Sequence, residues 1–123
     1  MKIKDAGAQA CIDETWDGTN YTGTCVDIPD DAEAIETSTG KLQGKYVDLS
    51  DGGWKGSGTC IYTMDGGDEI HESWEEGSHL KEYTYTYTGG TGKYAKISGG
   101  GTYTSDEHGA FAGGRYNGTL NLT

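Results

Sequence analysis

Hydrophobic and polar residues alternate along most of the chain, in short segments bounded by glycine. A period of two residues is typical of strands that bury one face and expose the other to water. Helical periodicity is nearly absent, so we predict an all-β protein. The pattern predicts eight strands, at about residues 9–17, 19–27, 41–49, 53–64, 69–76, 80–88, 99–105 and 113–122.

Glycine pairs separate several of these strands, at residues 51–53, 65–67 and 89–90. Glycine supplies the positive φ of tight hairpin turns at little steric cost. Short strands joined by tight turns favour an up-and-down meander, and closure into a barrel removes its exposed edges. We therefore predict one eight-stranded antiparallel β-barrel over residues 11–123, preceded by a flexible segment at residues 1–10.

The alternation points many aromatic side chains into this barrel. Barrels of eight strands have room for interior side chains or for one small ligand. A solid aromatic core with hydrogen-bonded hydroxyls is the alternative. The residues expected to contact a ligand are Tyr46, Trp54, Tyr62, Trp74, Tyr83, Tyr85, Tyr103 and Tyr116.

The composition is acidic and poor in aliphatic residues, with a net charge of −11 and only 15 Leu, Ile, Val and Phe residues among 123. Such values alone would indicate disorder, but nine Tyr and three Trp can bury large areas.

A negative field repels nucleic acid and anionic lipid, and no apolar run approaches the ~18 residues of a membrane span. We expect neutral or cationic partners, with no nucleic acid and no membrane; a solvating acidic surface is the alternative explanation of the charge.

One carboxylate falls on a predicted inward face, because Glu72 lies between Ile70 and Trp74 in the same alternation. Burial among apolar groups raises the pKa of a carboxyl, which suits general acid or base catalysis near neutral pH. Glu72 is therefore the candidate catalytic residue. The alternative is a structural role, in which Glu72 accepts hydrogen bonds from tyrosine hydroxyls.

The three cysteines show no C-x-x-C spacing, which argues against a zinc ribbon. Cys25 and Cys60 both fall on inward faces, so a disulfide between them is predicted, while the role of Cys11 stays open. Disulfides belong to oxidising compartments, and residues 8–10 have the small-x-small form that precedes a cleavage site. We predict a periplasmic or secreted protein with an absent or trimmed leader; the cytoplasm is the alternative.

The histidines suggest only an adventitious metal site. His71 and His79 lie near Glu69, Glu75 and Glu76 in the sequence, and imidazole with carboxylate is an ordinary ligand set. Their spacing does not define a site, so ordinary surface roles are expected for them and for the loop histidine His108. We assign no metal and no cofactor.

The glycine-rich segment Thr88–Tyr103 reads TGGTGKYAKISGGGTY and resembles the signature of allene oxide cyclase-like barrels. Plant dirigent proteins carry a similar stretch. The stretch from Gly67 to Glu75 resembles the acidic strand of small bacterial members of that superfamily, and so does Gly58–Thr63. The likeness covers about residues 54–122.

The resemblance implies a calycin-like antiparallel barrel with a central cavity, often in oligomers, so a homodimer or homotrimer is expected. Members of the superfamily guide cyclisation or coupling of hydrophobic intermediates with the help of an acidic residue, which Glu72 would supply here. Three functional hypotheses result. The first is binding of a small apolar or aromatic molecule in the lumen, the second is an isomerase or cyclase that uses Glu72, and the third is an extracellular acidic structural or interaction module. We favour the first, because it requires only a cavity.

Overall fold

The computed structural model of the protein describes residues 2–108 and 111–123. Strands dominate it, and one turn of 3-10 helix lies at Gly92–Tyr94. The strands are β1 (Lys2–Asp17), β2 (Asn20–Pro29), β3 (Ser38–Asp48), β4 (Trp54–Thr63), β5 (Glu69–Gly77), β6 (Tyr83–Gly90), β7 (Ser98–Tyr103), β8 (Asp106–His108) and β9 (Phe111–Asn121).

The sheet closes on itself because β1 pairs antiparallel with β2 along one edge and with β9 along the other. Strands β1 to β7 follow each other in chain order, and β9 lies between β7 and β1. The short β8 pairs with β9 as one extra strand. The predicted all-β fold, a closed eight-stranded antiparallel barrel, is confirmed.

The first strand begins at Lys2 rather than near residue 9, which corrects the predicted boundary. Lys2–Cys11 pair in continuous register with β9, from Asn121 to Ala112, so most of the segment expected to be flexible closes the barrel. The alternation is weak here because the buried or half-buried positions Asp5, Gly7 and Gln9 are polar or small. A hydrophobic pattern therefore could not reveal this first half of the strand.

A bulge in β1 changes which side chains face the lumen. The register with β2 shifts between Ile12 and Thr15, and Asp13 has a φ of 54°. A bulge inserts one unpaired residue and reverses the side-chain alternation beyond it. As a result Glu14 lines the lumen, whereas strict alternation from Cys11 would place Asp13 there.

The barrel interior has an apolar end and an aromatic end. Ile70, Ile97 and Leu120 are buried at the apolar end, where Met64 and Tyr94 pack with them. Further along the lumen the predicted inward residues Tyr62, Trp74, Tyr85 and Tyr116 are all buried. At the aromatic end Tyr46, Trp54, Tyr83 and Tyr103 are half-buried.

Two of the three predicted glycine turns form as expected. Gly52 and Gly66 both have a φ of 89°, a conformation that side chains larger than hydrogen rarely adopt. The third pair, Gly89-Gly90, lies instead inside β6. The connection from β6 to β7 is made by the 3-10 turn that follows.

The disulfide joins Cys11 to Cys25, not Cys25 to Cys60 as predicted. Cys11 and Cys25 are direct cross-strand partners on β1 and β2, with Cα atoms 3.9 Å apart. Strand β3 lies between β2 and β4, so Cys25 and Cys60 are separated by two strand spacings of about 4.8 Å each. That separation exceeds about 6.8 Å, the upper end of the usual Cα–Cα range for a disulfide, and Cys60 is a buried free thiol.

Replacing both Cys11 and Cys25 with serine should lower the free energy of unfolding by about 2–3 kcal/mol, as expected for a disulfide that closes a short loop. Urea denaturation of the variant and the parent measures this difference. In the unfolded, unreduced parent, iodoacetamide should modify the Cys60 thiol and leave the disulfide-bonded Cys11 and Cys25 unmodified. Modification of Cys11 or Cys25 under these conditions would contradict the assigned bond.

Candidate functional site

A cavity of about 50 Å³ lies in the lumen, on the aromatic side of the barrel. The lumen is thus largely, but not completely, filled by side chains. Most of the residues predicted from alternation line this cavity, together with the candidate acid Glu72. They are Tyr46, Tyr62, Trp74, Tyr85, Tyr103 and Tyr116.

The other two predicted residues, Trp54 and Tyr83, lie outside the lining, in an aromatic rim formed by Trp16, Tyr46, Trp54, Tyr83 and Tyr103. Ring centroids are 6.3 Å apart for Trp16 and Tyr46, and 5.8 Å apart for Tyr46 and Trp54. The distances are 6.2 Å for Trp54 and Tyr83, and 5.6 Å for Tyr83 and Tyr103. Such spacings are typical of tilted and edge-to-face aromatic contacts.

Trp74 connects the rim to the cavity. Its ring centroid lies 5.7 Å from that of Tyr46 and 6.1 Å from that of Tyr21. Its indole Nε1 donates a 3.1 Å hydrogen bond to the backbone oxygen of Thr59. Trp74 is therefore a fixed wall of the site, and its fluorescence should report on the cavity.

Tyrosine hydroxyls hold the carboxylates on the rim side of the lumen. Tyr46 and Tyr103 donate to the two oxygens of Glu76, at 2.7 and 2.6 Å. Tyr21 donates to Oε2 of Glu14 at 2.6 Å. Because each hydroxyl is committed to a carboxylate, these rings are held in one orientation beside the cavity.

Two more acids lie deeper in the barrel. Asp5, which is 2% exposed, accepts hydrogen bonds at Oδ2 from Tyr85, at 2.9 Å, and from Tyr87. Asp27 accepts a 2.7 Å hydrogen bond from Nε2 of Gln9. The same nitrogen donates a 3.0 Å hydrogen bond to the hydroxyl of Tyr62. Both acids are thus supported by neutral donors.

Glu72 differs from these acids because no described residue donates a hydrogen bond to its carboxyl. Its predicted inward position is confirmed: it is 7% exposed, lines the cavity and lies across from Cys60 and Tyr87 on the neighbouring strands. Burial raises its pKa well above the ordinary value, and the negative fields of Asp27 and Asp5 raise it further.

Burial favours the protonated form of four lumen acids, Asp5, Asp27, Glu72 and Glu76. Burial raises the pKa of Asp27 to about 7, against the stabilising effect of its hydrogen bonds. Burial likewise raises the pKa of Asp5 and Glu76. Desolvation and the neighbouring carboxyl also raise the pKa of Tyr103 above its ordinary value, so this tyrosine remains a neutral donor near physiological pH.

Several polar residues of the site were missed at the sequence level, for two different reasons. Asp27 and Glu76 continue the inward alternation of Cys25 and Trp74, so the sequence does contain a signal for them. Gln9 lies in the segment set apart from the barrel. Glu14 faces inward only because of the bulge, which the pattern does not reveal.

The histidines suggested as metal ligands pair with different carboxylates. Nε2 of His71 lies 3.0 Å from Glu69, and Nε2 of His79 lies 2.7 Å from Asp51. The side chain of His108 lies outside the described part of the structure. Over residues 2–108 and 111–123, we find no group of three or more His, Cys, Asp or Glu arranged to hold a metal ion.

The fold and the site define a small closed β-barrel whose lumen is lined by tyrosine, tryptophan and carboxyl groups. The sequence matches no known protein-family model and no curated protein. The resemblance to allene oxide cyclase-like barrels therefore stays a prediction. Within the described ranges, no helix has the length and apolar character needed to span a membrane.

Proposed function

We propose that this barrel binds a small aromatic molecule at the rim end of its lumen. The observation that carries the proposal is the cavity beneath the aromatic rim, which Trp74, Tyr46 and Tyr103 line together. Ligand sites are typically concave, mostly aromatic or apolar, and contain a few fixed polar groups. The rim, the cavity and the carboxyl-bound hydroxyls supply these three features.

The dimensions indicate how such a ligand would divide between two spaces. A volume of about 50 Å³ admits a group of only a few non-hydrogen atoms. An adjoining groove of about 220 Å³ is lined by Leu80 and Tyr83 and shares Tyr103 and Ser105 with the cavity. An engineered cavity of about 150 Å³ can hold a benzene ring, so the groove suits the ring of the ligand and the cavity suits its polar group.

The sequence also predicts a cellular compartment, a catalytic role for Glu72 and an oligomeric state. A disulfide fits an oxidising compartment, which supports the proposal of a periplasmic or secreted protein. A proton-transfer role for Glu72 would require a substrate atom beside its carboxyl, and it stays a prediction. The expected homo-oligomer also stays a prediction.

The proposal can be tested with Trp74 as the reporter. Replacing Trp16 and Trp54 with phenylalanine leaves Trp74 as the sole tryptophan of the chain. Titration with a panel of small phenyl and indole compounds should shift its emission saturably for at least one compound. Tyr103→Leu in this background should weaken that binding about tenfold, because it removes a ring contact worth about 0.5–1.5 kcal/mol beyond its burial.

Ile61→Ala provides the matched control, because Ile61 is 42% exposed on the outer face of β4. It should leave the affinity unchanged. A linear, non-saturable change across the whole panel would contradict binding in the lumen and would favour a purely structural barrel.

A further inference from the structure

The lumen has an excess of acidic groups that no basic group balances. Among the described residues that line its cavities there is no Lys, Arg or His. Charged side chains are rarely buried without partners of opposite sign, because desolvation penalises an uncompensated charge. The acidic residues that line these cavities are Asp5, Glu14, Asp27, Glu36, Glu72, Glu76 and Glu107.

Five of these acids accept hydrogen bonds from neutral donors. Tyrosine hydroxyls donate to Asp5, Glu14, Glu36 and Glu76, and the Gln9 amide donates to Asp27. Glu72 is more than nine-tenths buried and lines the cavity, and no described residue donates to it. Its oxygens are therefore acceptors available to a bound group.

Aromatic rings surround the same space. Tyr62, Trp74 and Tyr85 are each at most 5% exposed and line the cavity with Glu72. A cation near the face of Tyr or Trp is attracted by the ring quadrupole, and a desolvated site strengthens the attraction. Carboxyl groups and aromatic rings together favour a cation over an anion or a neutral apolar group.

We propose that the cavity binds the ammonium group of a small arylalkylamine, with Glu72 as its counter-ion. This inference rests on the proposed function, because the rim and the groove beside Tyr103 would hold the aryl part. The cavity of about 50 Å³ suits a primary ammonium group. A metal ion is disfavoured, because the described residues contain no group of three or more ligands arranged for one.

Binding should be linked to release of a proton. Burial keeps the pKa of Glu72 high, so the ammonium must displace its proton before the pair can form. The titratable groups that face Glu72 are Asp5 on β1, Asp27 on β2, Cys60 and Tyr62 on β4, Tyr85 and Tyr87 on β6, and Tyr103 on β7. None of them is cationic, and the carboxyls of Asp27 and Asp5 raise the pKa of Glu72 further, so ionised Glu72 is disfavoured in the absence of a bound cation.

The test compares 2-phenylethylamine with its neutral analogue 2-phenylethanol by isothermal titration calorimetry at pH 7. We expect the amine to bind at least about tenfold more tightly than the alcohol, and Glu72→Gln should abolish this preference. Titrations in two buffers of different ionisation enthalpy should show release of up to one proton per amine. In the pH range where binding releases one full proton, the affinity for the amine should fall about tenfold for each pH unit of acidification.

Glu75→Gln is the matched control, since Glu75 lies on the same strand and is exposed; it should keep the preference for the amine. The proton-release measurement on the parent protein tests the proposal even if Glu72→Gln does not fold.

Equal affinity for amine and alcohol would overturn the cation site and leave the proposed function intact. Displacement of the amine by equimolar calcium would overturn it in favour of a metal site. Binding of neutral panel compounds without binding of the amine would also overturn it, and failure of every aromatic compound to bind would overturn both proposals.

Discussion

Replacing Gly58 with alanine is expected to destabilise the barrel by at least about 3 kcal/mol, at the upper end of the range for overpacking. A Cβ atom at this position would lie 2.0 Å from the backbone oxygen of Gln43 and 2.6 Å from Cζ2 of Trp74. Gly44, its cross-strand partner, is equally confined, with Trp74 at 2.5 Å. The indole therefore packs directly over two glycines, and neither β3 nor the ring can move without disturbing the site.

Chemical denaturation of the variant measures this loss, and Gly77→Ala is the matched control. A Cβ on Gly77, at the end of β5, would meet its nearest atoms at 3.5 Å, which is ordinary van der Waals contact. The control should change the free energy of unfolding by less than about 1 kcal/mol. A similar small change for Gly58→Ala would show that Trp74 does not occupy the space above β3 and β4.

Acidification from pH 7 to pH 5 should raise the free energy of unfolding by at least about 2 kcal/mol. Proteins that are stabilised by surface ion pairs show the opposite pH dependence. In the folded state burial raises the pKa of Asp27 to about 7, and it raises the pKa of Glu72 and Asp5. The folded state consequently binds more protons than the unfolded chain in this range. Stability from these groups is fully present below the unfolded pKa of about 4 and is lost as pH rises through the folded pKa.

Urea denaturation at several pH values measures the slope, which for one such carboxyl reaches about 1.4 kcal/mol per pH unit. Asp27→Asn should reduce the slope, because the amide is neutral at every pH and its oxygen can still accept the hydrogen bond from Gln9. Glu75→Gln, on the exposed side of β5, should leave the slope unchanged. A parent protein that gains stability between pH 5 and pH 8 would contradict protonation of the buried acids.

The fold followed from the sequence because its strongest signals are local. Alternation in Trp54–Met64 and in Ile70–Trp74 requires only that one face of each strand is buried, and the structure buries Tyr62, Ile70 and Trp74. The turns at Gly52 and Gly66 depend on backbone conformations that glycine alone adopts easily. Closure into a barrel then followed from the need to pair every strand edge.

The pairing of strands depends on contacts that are distant in the sequence. Residue parity predicts which face a cysteine occupies, and this placed both Cys25 and Cys60 inside. Parity does not give the register in which two strands pair. The bond between the cross-strand partners Cys11 and Cys25 was therefore missed. The first half of β1 was missed for a related reason, because its polar and small residues acquire a buried face only when β9 pairs with them.

The sequence by itself determined most of the strands, the faces of their aromatic residues and the burial of Glu72, since a period of two residues indicates which side of a strand is buried. Only the tertiary structure decided that several carboxyls share one lumen, because they come from β1, β2 and β5 and meet through closure and through the bulge at Asp13. It also decided that none of the described residues donates a hydrogen bond to Glu72, whereas Asp5 and Asp27 each have a donor. Hydrogen bonding in an interior depends on distances between side chains that are far apart along the chain.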